Sequence, residues 1–306
     1  MSDSAQQAKA QKRAYDEACK RVLSERSIMA HILKACTEEF KDCNLQDIAQ
    51  RYIQGEPSIS CMAIAPRIES EQTEDKSGAE GTVYYDIRFH AVAPVDGKLI
   101  QLIINLEAQN DFNPGYPLLK RAIYYCGRMI SGQYGTVFVK SHYEKIQKVY
   151  SIWICTMPTK KWEYHISSYQ LTEKHLIGHT QAERSHYDLI RIVLVCLGSK
   201  SHRQLKGILR LLNLLLLDNI SSREKQEVLA KEFNVTMTPH LEKGVAAMCN
   251  LSEGIEKRGE KRGWDLGKQD DVLEMLKDGV PFEKIAQYTK LSLQVIADIA
   301  KQNKLI

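Results

Sequence analysis

Apolar residues recur at near-helical spacing from Tyr15 to about Phe40 (Ala18, Val22, Ile28, Ile32, Leu33), with no Pro or Gly between them, which predicts a helix. The polar residues 1–13 before it are expected to fray. Leu45 to Tyr52 predicts a second, short helix closed by Gly55 and Pro57. Residues 66–81 are polar, mostly acidic, and read as a loop. At Val83 the period changes from 3.6 to 2: Val83–Val92 and Leu99–Ala108 alternate apolar and polar, and Pro94-Val-Asp-Gly-Lys98 joins them. Asp-Gly between alternating runs is a strong hairpin signal, because both turn positions require positive φ. Leu118–Ile130 predicts a helix with an aromatic and basic flank. Val137–Val139 and Val149–Cys155 predict buried strands, and 161–170 a weaker edge element. From Ser185 onward helices are expected at Tyr187–Leu197, Leu205–Leu217 and Ser221–Lys231. After the Gly- and charge-rich run 254–268, two or three short helices are divided by Asp278-Gly279 and by a Ser292 cap.

This order of helix, strands, helix, strands and helices predicts an α/β core with a mixed central sheet flanked by helices, plus a helical C-terminal extension. The length of 306 residues favours about two domains. A 43% hydrophobic and 26% charged chain is ordinary for a globular protein, and the net charge of +4 permits a polyanionic partner without requiring one. Eight cysteines are scattered without a CxxC pair or a zinc-like spacing, as expected of reduced thiols. The polar N-terminus carries no signal-peptide pattern, and the apolar stretch Leu209–Leu217 is too short to span a bilayer. A cytoplasmic protein without a membrane partner is expected.

The hairpin register follows from its turn. With Asp96-Gly97 as a two-residue turn, opposed residues have numbers that sum to 193. Asp86 then opposes Glu107, Arg88 opposes Asn105 and Tyr84 opposes Gln109, all six on one face. Val83, Tyr85, Ile87 and Phe89 face the other way with Ile100, Leu102, Ile104, Leu106 and Ala108. Two opposed carboxylates, their Cβ atoms roughly 5 Å apart, repel unless something relieves them. A bound divalent cation, a raised pKa on one partner, or Arg88 as a structural counter-ion would each do so.

Asp86, twenty intervening residues, then Glu107-Ala108-Gln109 is similar to the D…(D/E)xK signature of the restriction-endonuclease-like superfamily. The phrases EGTVYYDIRFHA, LIINLEAQNDFNPGYPLLKRAIYYCGRMISGQ and KVYSIWIC resemble the PD-(D/E)XK nuclease family transposases, relatives of the recombination-promoting nucleases. The resemblance runs from about Tyr15 to Leu197. It implies a restriction-endonuclease-like domain over 15–200, a helical extension over 201–250, and a linker with a helix-turn-helix-like tail over 251–306. It implies Mg²⁺-dependent endonuclease activity on DNA, a hydrolase in transposition or recombination, with Mn²⁺ as a substitute metal. Asp86 and Glu107 would hold the metal, with Gln109 as the third catalytic residue. Gln109 stands where the signature has lysine; its amide can position water but brings no charge. A DNA-binding or interaction protein that keeps the fold without the chemistry is therefore the alternative. A first-helix glutamate often completes such a site; Glu25 is the choice here, with Glu38 and Glu39 as competitors and Glu80 as a further acid nearby. Arg121, Tyr125 and Arg128 share a helix face and are expected either to contact DNA or to pack in the core. Residues 281–299 resemble a minimal helix-turn-helix with Val295, Ile296 and Ile299 inward, or equally a packing pair. A homodimer is compatible with all of this.

Overall fold

A computed structural model describes residues 3–59, 74–77, 81–249, 272–289 and 291–303. The chain divides into two compact units, Met1–Cys249 and Asn250–Ile306. The first is an α/β unit built on a mixed six-stranded sheet flanked by helices. Its strands run in the order β1 (Ile53–Ile59), β4 (Ile87–Val95), β5 (Lys98–Gln109), β6 (Lys148–Cys155), β8 (Ile190–Cys196) and β7 (His165–Gln170). The β5–β6 and β6–β8 pairs are parallel; the other three pairs are antiparallel. A separate two-stranded ribbon pairs β2 (Glu74–Ser77) with β3 (Gly81–Tyr84).

The β4–β5 hairpin has the register its turn dictates. Asp96 and Gly97 both take positive φ (50° and 75°), and every pair from Ile87–Leu106 to Val95–Lys98 sums to 193. Helices close both faces. From α2 (Arg26–Cys36), Met29, Ile32 and Leu33 meet Phe89, Ile104, Leu106 and Ile152. On the opposite face α4 (Leu118–Ser131) lays Ala122, Tyr125, Cys126 and Met129 over Ile103, Val149 and Trp153. The polar side of the hairpin is therefore roofed by a helix, and Asn105 and Glu107 are buried.

Residues 201–249 pack into this unit. Helix α5 (Gly207–Leu216) buries Leu211, Leu212, Leu214, Leu215 and Leu216. Its last carbonyls, orphaned at the helix end, are met from elsewhere: Tyr15 donates to Leu216 O at 2.8 Å and the buried Lys225 of α6 (Ser222–Phe233) to Leu215 O at 3.2 Å. Helix 239–249 brings Met248 within 3.8 Å of Cys19 on α1 (Asp3–Leu23).

Several expectations need correction. Tyr187–Leu197 is not a helix: IRIVLVC is the interior strand β8, apolar except for Arg191 because it is buried on both faces. Val137–Val139 makes only an isolated bridge, Tyr134–Phe138, within a turn. The single helix expected over 15–40 is two helices, broken at Ser24–Glu25, and α1 extends back to Asp3. The strand expected from Val83 does not run through. It stops at Tyr85–Asp86, so Tyr84 pairs with Glu74 instead of facing Gln109. That bend resets the alternation. Val83 and Tyr85 turn to the α4 side, where the Tyr85 ring meets Tyr125 edge-on at 5.3 Å.

In the second unit, Phe282–Thr289 and Leu293–Gln302 are helical, and Ser292 caps the latter by accepting from Val295 N–H at 3.4 Å. Ile296 and Ile299 point inward with Val272 and Ile285. Val295, expected inward, is exposed. The Gly- and charge-rich run 254–268 and Glu80 lie outside the described residues. No helix among the described residues is long and apolar enough to cross a membrane.

Candidate functional site

The bend at Asp86 leaves backbone N–H groups that the β4–β5 ladder no longer satisfies, and side-chain carboxylates take them. Asp86 N–H donates to Glu107 Oε1 at 3.1 Å, and Ala108 N–H donates to Asp86 Oδ2 at 3.0 Å. Each carboxylate thus clamps the neighbouring strand's backbone with one oxygen and keeps the other for the space between strand and helix. The pair lies at the carboxyl ends of the parallel strands β5 and β6, where Glu107 is level with Trp153. Crevices at such ends are the usual ligand position in open α/β sheets.

Two cations face those remaining oxygens. Lys20 Nζ, from α1, is 2.8 Å from Asp86 Oδ1. Arg121, from α4, is 3.9 Å from Glu107 Oε2. The Arg121 guanidinium is fixed over the rings of Tyr125 (4.9 Å) and Trp153 (5.2 Å) and donates to Tyr125 OH at 2.7 Å and Tyr116 OH at 3.2 Å. Arg88, expected as a counter-ion, holds its guanidinium 5.4 Å from the centre of the Tyr85 ring.

Glu107 is 2% exposed. Burial, reinforced by the Asp86 charge, pushes its carboxyl up to about 8, against the opposing pull of the Asp86 N–H, Arg121 and Asn105. Asn105, buried beside it, donates to Ser151 at 3.3 Å, and Trp153 donates to the same hydroxyl at 2.8 Å. The floor under the pair is therefore polar and buried.

Gln109, two residues on, donates its amide to the carbonyl of Asp111. Asn110 donates to Asp16 of α1 at 2.8 Å, and Thr156 donates to Asn110. With Thr156 N–H on Gln109 O at 3.1 Å, these bonds tie the ends of β5, β6 and α1 into one rim.

The structure brings Asp86 and Glu107 together as expected, with Gln109 close along the strand. It does not bring Glu25 to them: that carboxylate, before α2, accepts from Thr238 at 3.1 Å and pairs with His240 at 2.5 Å. Glu38 and Glu39 belong to a second network, with Lys148, Arg184, Asp188 and Arg191. Of the helix face expected to meet DNA, Tyr125 is buried and Arg128 is 3% exposed, its guanidinium bonded to Tyr124 OH at 3.1 Å. Only Arg121 reaches the site. Lys20 was not legible as a site residue, although Asp16 and Lys20, at i and i+4, flank the apolar stripe of α1 that turns inward.

Among the described residues no three His, Cys, Asp or Glu side chains converge on one point. A divalent hard cation needs only one or two carboxylates where water and substrate oxygens complete its shell. A buried Glu107 beside a partly buried Asp86, each keeping one oxygen for the space between strand and helix, fits that requirement. Comparison of the chain with protein-family models, curated proteins and solved structures gave no match.

Proposed function

We propose that the chain is a Mg²⁺-dependent DNA endonuclease of the PD-(D/E)XK nuclease family transposase type, hydrolysing phosphodiester bonds with Asp86 and Glu107 as its metal-holding pair. The mixed sheet, with the β4–β5 hairpin beside parallel β6, is read as the restriction-endonuclease-like core. One observation carries the proposal: two carboxylates locked together across a strand bend, with lysine and arginine nitrogens 2.8 and 3.9 Å from their outward oxygens. Such a pair is costly to bury and serves no packing purpose that Asn and Gln could not serve.

Bound Mg²⁺ would supply Lewis acidity toward a phosphate oxygen and a water of lowered pKa; Mn²⁺ is the expected substitute. The chain's own groups do the rest. Glu107 becomes fully ionised near neutral pH only with a cation beside it, so metal and protein charge states are linked. Lys20 brings an ammonium to the pair from another element, standing in space for the charge that Gln109 lacks. Gln109, its amide anchored on Asp111, offers its oxygen to orient the attacking water. Arg121, planar and held between two rings, presents its fork to an incoming phosphate.

A second reading has one observation in its favour. Lys20 and Arg121 already balance the two carboxylates, as they would in a DNA-binding protein that kept the fold and lost the chemistry. Cleavage of supercoiled DNA in Mg²⁺, Mn²⁺, Ca²⁺ or EDTA separates the two. Nicking in Mg²⁺ and Mn²⁺ that Asp86→Ala and Glu107→Ala each abolish is expected. Nicking that persists in both variants, or is absent from pure wild type, ends the nuclease proposal.

A further inference from the structure

The inward face of α4 serves the candidate site; its outward face is the more unusual surface. Lys120, Ile123, Tyr124, Gly127 and Ser131 lie on one side of the helix, all exposed. Beyond the helix the chain turns through residues 132–145 and exposes Tyr134 and Tyr143, whose rings pack on either side of Phe138 at 5.5 and 5.7 Å. Tyr124, Tyr134 and Tyr143 are between 47% and 64% exposed. Soluble surfaces do not ordinarily carry three half-bare aromatic rings within twenty residues unless something stacks on them.

The charge here is also one-sided. From Phe112 to Gln147 there are five Lys or Arg and a single acid, Glu144, in a chain whose totals are 42 basic and 38 acidic residues. Glu144 is paired with His142 at 3.0 Å. Lys120, Lys140 and Lys145, on the same stretch of chain as the rings, are exposed. Aromatic faces interleaved with lysines match a flexible polyanion whose bases are free to stack, since stacking is tolerant of sequence and a duplex hides its base faces. A protein partner would be met by the apolar rings but gains nothing from an acid-poor rim unless it is itself acidic.

We propose that the outward face of α4 and the turn after it form a track for single-stranded DNA, with Tyr124, Tyr134 and Tyr143 as stacking platforms and Lys120, Lys140 and Lys145 as phosphate contacts. The choice of DNA as the polyanion rests on the nuclease reading. The track starts at the candidate site, because Tyr116, at the N-terminal end of α4, is bonded to the same Arg121 that faces Glu107. It runs the length of the helix, about 21 Å at 1.5 Å per residue. The strand held there would be the one leading away from the scissile bond.

The test is fluorescence anisotropy of a fluorescein-labelled oligo(dT) 20-mer with the full chain in EDTA, where nothing is cut. Wild type should bind the single strand more tightly than a matched duplex. Tyr→Ala at 124, 134 and 143 should weaken binding by about tenfold for each ring removed, with an unchanged thermal melt. Lys120→Glu, Lys140→Glu and Lys145→Glu together should flatten the slope of log affinity against log salt by about 2. Tighter binding of the duplex, or a triple Tyr variant that binds like wild type, overturns the track. So does a wild type that ignores the oligonucleotide but self-associates in sedimentation velocity through these rings. The two proposals fail separately: cleavage that survives Asp86→Ala while the Tyr variants lose binding sinks only the nuclease site, and Asp86-dependent cleavage with unaltered Tyr-variant binding sinks only the track.

Discussion

The two ends of the parallel strands both gather carboxylates and cations, and they treat them oppositely. At the amino ends of β6 and β8, Glu38, Glu39 and Asp188 meet Lys148, Arg184 and Arg191, three charges of each sign. Lys148 Nζ is 2.8 Å from both Glu39 and Asp188, and Tyr150 donates to Glu39 at 2.6 Å. Burial alone would raise Glu38 and Asp188; Arg191 and Arg184 for the first, and Lys148 and Arg191 for the second, hold them below the usual carboxylate range. At the carboxyl ends, Glu107 has its cation at 3.9 Å, outside hydrogen-bond range, and its carboxyl is pushed up instead of down. One network is closed. The other holds its buried Glu107 without a cation in hydrogen-bond range, which is the condition a bound cation relieves.

The largest expected effect falls on the open end. Asp86→Ala or Glu107→Ala should reduce Mg²⁺-dependent nicking by about 10³-fold, the several kcal/mol that a positioned metal contributes to a transition state. Nicking measured per folded molecule checks it, with melting curves to confirm folding. Lys148→Met should act only at the closed end. It takes the lysine from Glu39 and from Asp188, which keeps Arg184 and Arg191, and should cost about 3 kcal/mol in urea unfolding while leaving cleavage per folded molecule unchanged. A reversed pattern, with Lys148→Met silent for stability, would erase the contrast. Lys20→Met should lower turnover by about 10²-fold, as loss of one preorganised charge does, with little change in the Mg²⁺ concentration for half-maximal rate. A tighter Mg²⁺ requirement with full turnover would instead mark Lys20 as a mere competitor of the metal.

The smallest effect is in pH dependence, and its sign differs between the ends. Glu107 has a folded pKa near 8, above its ordinary 4.5, so the folded state holds the extra proton. Its contribution is full below about 4.5 and is lost as pH rises to about 8. Glu38 and Asp188 are lowered, so theirs is present above the ordinary carboxylate range and lost as pH falls through the folded values. Glu107→Gln should therefore flatten the decline of stability between pH 5 and 8 and leave the acid limb untouched, in urea midpoints taken across the range. A wild type equally stable at pH 5 and pH 8 in EDTA would contradict the burial of an unrelieved Glu107.

What could be read from the sequence was whatever local chemistry determines. Asp96-Gly97 fixed a turn, the turn fixed a register, and the register set Asp86 against Glu107. Helix α4 and strand β6 were plain for the same reason, through periodicity and a bounded apolar run. Strand β8 was not: IRIVLVC is apolar at every position but Arg191, and a doubly buried strand and a buried helix share that pattern. The site's cations were hidden for a different reason. Nothing local to Lys20 points at Asp86; the contact exists because α1 packs across the end of β5, a long-range fact. Glu25 misled in the converse way, since its helix is near the sheet but its carboxylate is claimed by Thr238 and His240, more than two hundred residues away in sequence. Arg128 shares a helix face with Arg121 and still differs from it, because burial varies along α4 even where angular position does not.

The Asp96-Gly97 turn works as a ruler. It stands nine residues of strand away from the carboxylates, roughly 30 Å at 3.3 Å per residue, yet it decides which residue of β5 arrives opposite Asp86. Inserting one residue there would leave both acids, both strands and the surface composition in place while presenting Leu106 or Ala108 where Glu107 now stands. A lesion at the solvent-exposed tip of the hairpin would then act as a mutation of the candidate site, and length at that tip is as much a part of the candidate site as the carboxylates themselves.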